Sequence, residues 1–338
     1  MRRNGNLKLN LFFILAATSA IALLTFLYYG KGDGQTKDVL IPRGSSINEV
    51  AAILEHEGVI RYSKAFAFLL RATKGHARVR AGEFQFRYSM RIIDALRVLY
   101  DSEPIVHQIT VPEGWTARQI ARILSSHRLV DEIRFLKLAL SKEGAMQFKT
   151  DGPTVEGFLF PDTYTFSRID GEERIIERMV GRFFQKFGSE YKIEIVNSGF
   201  TLGQIVTLAS IVEKETGSEG EREIISSVFH NRLRKRMRLQ SDPTTIYGIS
   251  NFDGNLKKTD LKAHSPYNTY TISGLPPGPI ASPGLRSLVA ALRPADTEFL
   301  YFVSNNKGGH IFTKTYAEHV RNVNTHQRVM SISKRPKK

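Results

Sequence analysis

From Leu9 to Tyr29 the chain carries no charged side chain, and almost every residue there is apolar. At about 1.5 Å per residue, a helix of that length crosses the ~30 Å hydrocarbon core of a membrane. The run therefore predicts an uncleaved transmembrane helix over 9–29. Arg2, Arg3 and Lys8 precede it, so the positive-inside rule keeps residues 1–8 in the cytoplasm and exports the chain beyond Gly30. Tyr28 and Tyr29 suit the far interface. A cleavable signal peptide is the competing reading. Its best small-residue site, around Ala17–Ala20, lies inside the run with Ile21–Leu27 still to come. Residues 30–38, beginning Gly30-Lys-Gly-Asp-Gly-Gln, read as a linker. The expected location is the inner (cytoplasmic) membrane, single-pass, with the body of the chain in the periplasm.

Export changes how the charge is read. A net charge of +15 over 338 residues would otherwise suggest a nucleic-acid binder. The excess is spread as +3, +6 and +6 over residues 1–36, 37–150 and 151–338, so no single basic domain exists. Outside the cytoplasm, nucleic acid, nucleotide cofactors and ATP-driven chemistry drop away. A diffuse positive surface there suits an anionic membrane or an acidic polymer. The absence of cysteine removes disulfides, Cys-based zinc sites and thiol nucleophiles together.

A repeat appears at an offset of 70 residues. Val39-Leu-Ile-Pro-Arg-Gly-Ser-Ser-Ile-Asn-Glu-Val-Ala-Ala-Ile-Leu aligns with Ile109-Thr-Val-Pro-Glu-Gly-Trp-Thr-Ala-Arg-Gln-Ile-Ala-Arg-Ile-Leu. Each copy reads as a strand, a Pro-x-Gly turn, a Ser/Thr helix cap and an amphipathic helix. Between them, Ala81–Tyr88 alternates as a strand and Met90–Tyr100 reads as a helix. This strand–helix pattern over 39–150 resembles the LysM modules that grip cell-wall glycans; a generic α+β repeat without a ligand is the plain alternative. Trp115 follows the second turn, where it either stacks on a sugar or packs in its own core.

The second region, 151–330, carries the chemistry, and 331–338 is a basic tail. Metal and nucleophile signatures such as His-Glu-x-x-His and Gly-x-Ser-x-Gly are missing, and His230, His310 and His319 are not at ligand spacing. In Leu208-Ala-Ser-Ile-Val-Glu-Lys-Glu-Thr, helical periodicity from Leu202, with Thr201 as cap, sets Glu213 in the apolar stripe and Glu215 at its edge. A carboxyl against an apolar wall has a raised pKa, as a general acid needs. An ordinary helix-end glutamate paired with Lys214 or Arg222 fits the same pattern. Gln240, Ser241, Asp242, Thr244, Tyr247, Asn268, Thr269 and Tyr270 lie in Pro/Gly-held segments that either line a cleft for a polar polymer or are plain turn chemistry.

With these residues in view the chain resembles the endolytic murein transglycosylases, the YceG-like family of membrane-anchored cell-wall enzymes. The resemblance runs through Ile41-Pro-Arg-Gly, Val111-Pro-Glu-Gly-Trp, Glu156-Gly-Phe-Leu-Phe-Pro-Asp-Thr-Tyr and the Leu208–Thr216 motif. It continues in Asn231-Arg-Leu, Leu239-Gln-Ser-Asp-Pro-Thr, Ser265-Pro-Tyr-Asn-Thr-Tyr and Gly274-Leu-Pro-Pro-Gly-Pro-Ile. It implies an α+β fold: an N-terminal transmembrane helix, a LysM-like subdomain and a catalytic domain. It also implies Glu213 as the acid, with Glu156, Tyr164 and the loop residues above as cleft lining. The implied reaction is non-hydrolytic cleavage between N-acetylmuramic acid and N-acetylglucosamine, leaving 1,6-anhydromuramoyl ends and limiting strand length. No metal or organic cofactor is implied. The implied partners are glycan strands and peptidoglycan synthases (penicillin-binding proteins). A hydrolase using Asp242 or Asp162 as a second carboxylate, a non-catalytic wall-binding scaffold, and a pyridoxal-dependent aminodeoxychorismate lyase are the rivals.

Overall fold

The computed structural model describes residues 12–19, 34–74 and 79–328 of a mixed α+β chain. Two units emerge: residues 1–107 with 165–170, and residues 108–164 with 171–338. The division at 107/108 differs from the expected one at 150/151 and puts the second copy of the repeat in the second unit. The transmembrane helix expected over 9–29 is corrected. Among the described residues no helix is long and apolar enough to cross a membrane. Within that run the structure describes helix over 12–19 alone, about 12 Å and less than half a hydrocarbon core. The rest of 9–29, with residues 1–8 and the 331–338 tail, lies outside the described residues. The expected linker ends early, because a strand begins at Thr36.

In the first unit, β1 (Thr36–Ile41) pairs antiparallel with β2 (Gly82–Arg87), Thr36 opposite Arg87 and Ile41 opposite Gly82. Between them run α1 (Ile47–His56) and α2 (Ser63–Lys74), and α3 (Ile92–Asp101) follows. Strand alternation turns Val39, Ile41, Phe84 and Phe86 inward onto Leu54, Phe66, Leu96 and Leu99. One buried polar group interrupts this apolar set: Glu83 pairs with Arg168 and with His107 at 2.8 Å.

The second unit contains β3 (His107–Thr110) from its second residue, then α4 (Ala117–Ser126), α5 (Glu132–Ala139) and α6 (Lys142–Gln147). After β4 (Thr163–Phe166) come α7 (Gly171–Phe183), α8 (Lys192–Asn197), α9 (Leu202–Glu215), α10 (Arg222–Arg234) and α11 (Asp242–Tyr247). α12 (Leu285–Leu292), the β5 (Tyr301–Ser304)–β6 (His310–Thr313) hairpin and α13 (Tyr316–Val323) complete it.

The two copies of the repeat share their backbone chemistry. Gly44 and Gly114 both take positive φ, +79° and +74°. Ser46 and Thr116 both cap their helices through complete capping boxes with Glu49 and Gln119. Val50, Ala51 and Leu54 are buried in one copy, and Ile120, Ala121 and Leu124 in the other. Both helices also close alike: the Val59 amide donates to the Leu54 carbonyl, and the Leu129 amide to that of Leu124.

Helix α9 is the centre of the second unit. Thr201 accepts the Gln204 amide while the Gln204 side chain accepts the Thr201 amide, closing a third capping box. From Ile205 to Val212 every residue is buried, as a helix enclosed on all sides requires. Gly203 permits the close approach at its start. Its amide donates to Asp151 Oδ2 at 2.9 Å, and a Cβ there would lie 1.7 Å from the Asp151 carbonyl oxygen. Gly203→Ala should therefore lose on the order of 1–3 kcal/mol or more in chemical denaturation. Gly181→Ala, where a Cβ meets nothing within 4 Å, should match or exceed the parent.

Candidate active site

The last turn of α9 carries Glu213 and Glu215. Two residues apart on a helix means roughly 200° apart around its axis, and the two carboxylates enter different surroundings. Glu213 does not face an apolar wall. Its Oε2 accepts the Gly284 amide at 3.1 Å, and its Oε1 lies 3.6 Å from Arg222 Nη2. Arg222 also reaches Glu113 at 3.8 Å and donates to Ser287 Oγ at 3.1 Å. The turn at Glu113–Gly114 exchanges backbone bonds with the 282–284 loop. The Gly114 amide donates to the Ser282 carbonyl, and the Ser282 amide to that of Trp115, both at 2.8 Å. Glu213 thus ties the second Pro-x-Gly turn, this loop and the start of α10 together. Periodicity placed it correctly on the inner face, but that face is lined here by an arginine and a backbone amide.

Glu215 opens onto a cavity of about 550 Å³, within the ~300–1,000 Å³ range of ligand clefts. Burial pushes its carboxyl above the usual carboxylate range. The Ser241 hydroxyl, donating to Oε1 at 2.6 Å, opposes that shift, and the neighbouring Asp242 charge reinforces it. Ser241 stands at the N-cap of α11 but gives its hydroxyl to Glu215 and not to the helix. Asp242 and Tyr270 meet on the same cavity, the phenol donating to Oδ1 at 2.6 Å. Gln240 lines it too, with φ of +48°, the left-handed region that non-glycine residues rarely occupy.

Of the other expected lining residues, Glu156, Tyr164, Thr244, Asn268 and Thr269 are buried and Tyr247 is half-buried, and none of them lines this cavity. Thr244, Asn268 and Thr269 have no exposed surface. Thr244 donates to the Ser241 carbonyl at 2.6 Å, Thr269 accepts the Ser241 amide at 3.0 Å, and Asn268 donates to the Ala263 carbonyl at 2.7 Å. Together they fix Ser241 where it meets Glu215. Tyr164 spends its hydroxyl on the Phe160 carbonyl at 2.6 Å. Glu156 is 1% exposed; it accepts the Ala117 amide at 2.9 Å and the Tyr247 hydroxyl at 3.1 Å, joining the start of α4 to the end of α11. Trp115 is half-buried.

Sequence reasoning missed the far wall of the cavity: Arg232 on α10, Tyr301 and His310 on the hairpin, and Tyr316 and His319 on α13. Tyr316 and His319 stand at the i,i+3 spacing that puts two side chains on one helix face, which was the available signal. His310 is oriented by Glu221, which accepts its amide and meets its Nδ1, each at 2.8 Å. Arg232 lies beneath, donating to the Leu239 and Leu300 carbonyls.

The end of an enclosed helix thus presents one carboxyl, partly shielded from water, to a polar, aromatic cavity. The chain belongs to the YceG-like family, whose model matches residues 39–325. It is 34% identical to the endolytic murein transglycosylase of Bacillus subtilis (strain 168) over 306 residues, 86% of this chain and 84% of that protein. Against the protein of the same name from Streptococcus pneumoniae serotype 2 identity is 29%, over 85% of this chain but 57% of that longer protein. A crystal structure of a yceG-like protein from Listeria monocytogenes superposes with a TM-score of 0.59 at 33% identity, over 85% of this chain and 99% of that one.

Burial makes Glu156 a proton-linked element of stability. Its pKa is pushed up to about 7, against the Ala117 and Tyr247 hydrogen bonds that lower it. Between the usual 4.5 and about 7 the unfolded chain gives up a proton that the folded chain keeps, so stability falls as pH rises through that window and levels off above it. Glu156→Gln lacks the titration. Its stability relative to the parent should rise by about 3 kcal/mol from the bottom of the window to above its top, read by denaturant titration at several pH values. A difference that does not vary with pH would contradict the assignment.

Proposed function

We propose that the chain cuts murein glycan strands without water, with Glu215 moving the proton. Family membership and the names of its relatives support an enzyme of the transglycosylase class. The observation that carries the assignment is a buried carboxyl with a raised pKa at the head of a cavity, while Glu213 is occupied by Arg222 and the Gly284 amide. Protonated Glu215 donates to the glycosidic oxygen as the bond from that oxygen to C1 of the muramoyl residue breaks. The carboxylate so formed accepts the proton of the same residue's C6 hydroxyl while that oxygen bonds to C1. The muramoyl residue ends as a 1,6-anhydro sugar, and Glu215 recovers its proton. Because the attacking hydroxyl is internal, one carboxyl serves both transfers, where a hydrolase needs two. The Ser241 hydroxyl holds Glu215 in place throughout.

This reading sets the enzyme on the murein side of the membrane, with penicillin-binding proteins as the partners whose nascent strands it shortens. The LysM-like strand–helix pattern over 39–150 is assigned to holding the strand. Glu215→Gln keeps the side chain's shape and can still accept from Ser241. It should fold like the parent and leave purified glycan strands uncut. Parent products should carry ends lighter by one water than reducing ends, read by mass spectrometry; reducing ends would make the enzyme a hydrolase, with Asp242 as second carboxylate. Glu213→Gln should instead lower the Tm, because it leaves a buried arginine without its closest anion, and should still cut below that Tm. A folded but inactive Glu213→Gln beside an active Glu215→Gln would return the role to Glu213, the residue carried over from the family motif.

A further inference from the structure

The far wall of the cavity contains chemistry that proton transfer at Glu215 does not use. Tyr301 and His319 stack with ring centroids 5.3 Å apart and planes at 25°. The Arg232 guanidinium lies 5.3 Å from the Tyr301 centroid. Tyr316 sits 5.8 Å from Tyr301 and is 66% exposed, so a large aromatic face stands open at a polar cavity. His319 Nδ1 is buried and has no hydrogen-bond partner among the described residues. A buried polar atom left unpaired is costly, and such an atom marks a place where a ligand group would be accommodated. Burial, reinforced by the Arg232 charge, holds the imidazole pKa below its usual value and so favours the neutral ring, which pairs with either a donor or an acceptor, according to tautomer.

We propose that Tyr316 and His319 form a saccharide subsite of the cavity, in which one pyranose ring of the glycan lies on the Tyr316 face and pairs a hydroxyl or acetamido group with His319 Nδ1. The chemistry favours a sugar over a wholly apolar ligand. Sugars present an apolar C–H face and a polar rim together, and this wall offers an aromatic face beside an unpaired nitrogen, with the Glu215 and Asp242 carboxylates across the same cavity. Tyr301 acts through His319: stacked on the imidazole and flanked by Arg232, it fixes the ring's plane. The inference rests on the proposed action on glycan strands, and its test separates the two.

Chitotetraose is titrated calorimetrically into Glu215→Gln, which on the proposed reading binds without cutting. In that background His319→Ala and Tyr316→Ala should each weaken binding by about tenfold. Tyr316→Phe, which keeps the face, should bind within about twofold, and His319→Gln, which restores a donor and an acceptor, should recover part of the loss. Tyr316 is exposed enough that its truncation leaves the fold intact, and melting curves verify this for all four. With Glu215 present, the two alanine substitutions should raise KM for glycan strands and leave kcat within about twofold. Unchanged binding in both would overturn the subsite even where Glu215→Gln is inactive. Conversely, cleavage by Glu215→Gln with weakened binding in His319→Ala would overturn the acid assignment and leave the subsite standing.

Discussion

The site depends on how the last turn of one enclosed helix divides its two carboxylates. A helix surrounded on every side cannot present a charge to its own core, so its acidic residues appear where the enclosure ends, at Glu213 and Glu215. There the ~200° between them gives one to the scaffold and one to the cavity. Glu213 meets a guanidinium and a backbone amide and serves as a cross-brace. Glu215 meets a serine hydroxyl and loses water, which raises its pKa. Two glutamates of one short motif thus meet different surroundings, an arginine and a backbone amide on one side and a serine hydroxyl beside a cavity on the other.

Much of the surrounding polar network serves to hold Ser241 against Glu215. Thr244, Thr269 and Asn268 are saturated with internal hydrogen bonds and hold the start of α11. Glu156 grips the other end of that helix through Tyr247. Such networks cost desolvation and return geometric precision. That cost is visible in the elevated pKa of Glu156 and in the left-handed backbone of Gln240 beside the cavity.

How far the sequence could be read depends on the range of the interactions involved. Capping boxes, Pro-x-Gly turns and helical periodicity act within a few residues, so α9 from Leu202 to Glu215, its Thr201 cap and both copies of the repeat were legible in full. The 3.6-residue period also set Glu213 on an inner face. It could not say that Arg222 and the Gly284 amide would line that face, because both arrive from separate segments of the chain. The loop residues were recognisable as a group for the same local reason, but the division into Gln240, Asp242 and Tyr270 in the cavity and Thr244, Asn268 and Thr269 beneath it is tertiary. Tyr301, Tyr316 and His319 carried only a strand and a helix pattern. Their convergence on Glu215 depends on the β5–β6 hairpin folding back. Composition over 9–29 likewise measures what a helix there could do, while the described helix covers only 12–19 of it.

The repeat shows one local solution put to two uses. In each copy a glycine at positive φ turns the chain, a hydroxyl caps the helix, and a row of aliphatic residues buries one side. In the first unit that row packs beneath β1 and β2, and the turn at Gly44 stays open, with nothing within 4 Å of where a Cβ would lie. In the second unit the turn itself is in contact: Gly114 donates to the 282–284 loop, and a Cβ there would meet Glu213 at 3.6 Å. A Cβ at 114 would make ordinary contact there, so in both copies the left-handed backbone is what constrains the choice. The same glycine thus faces open space in one copy and the carboxylate cross-brace in the other. Placement of the Glu213 end of α9 is thereby coupled to a turn 100 residues earlier, through the Lys214 ammonium on the Gly114 carbonyl as well as through Glu213 itself.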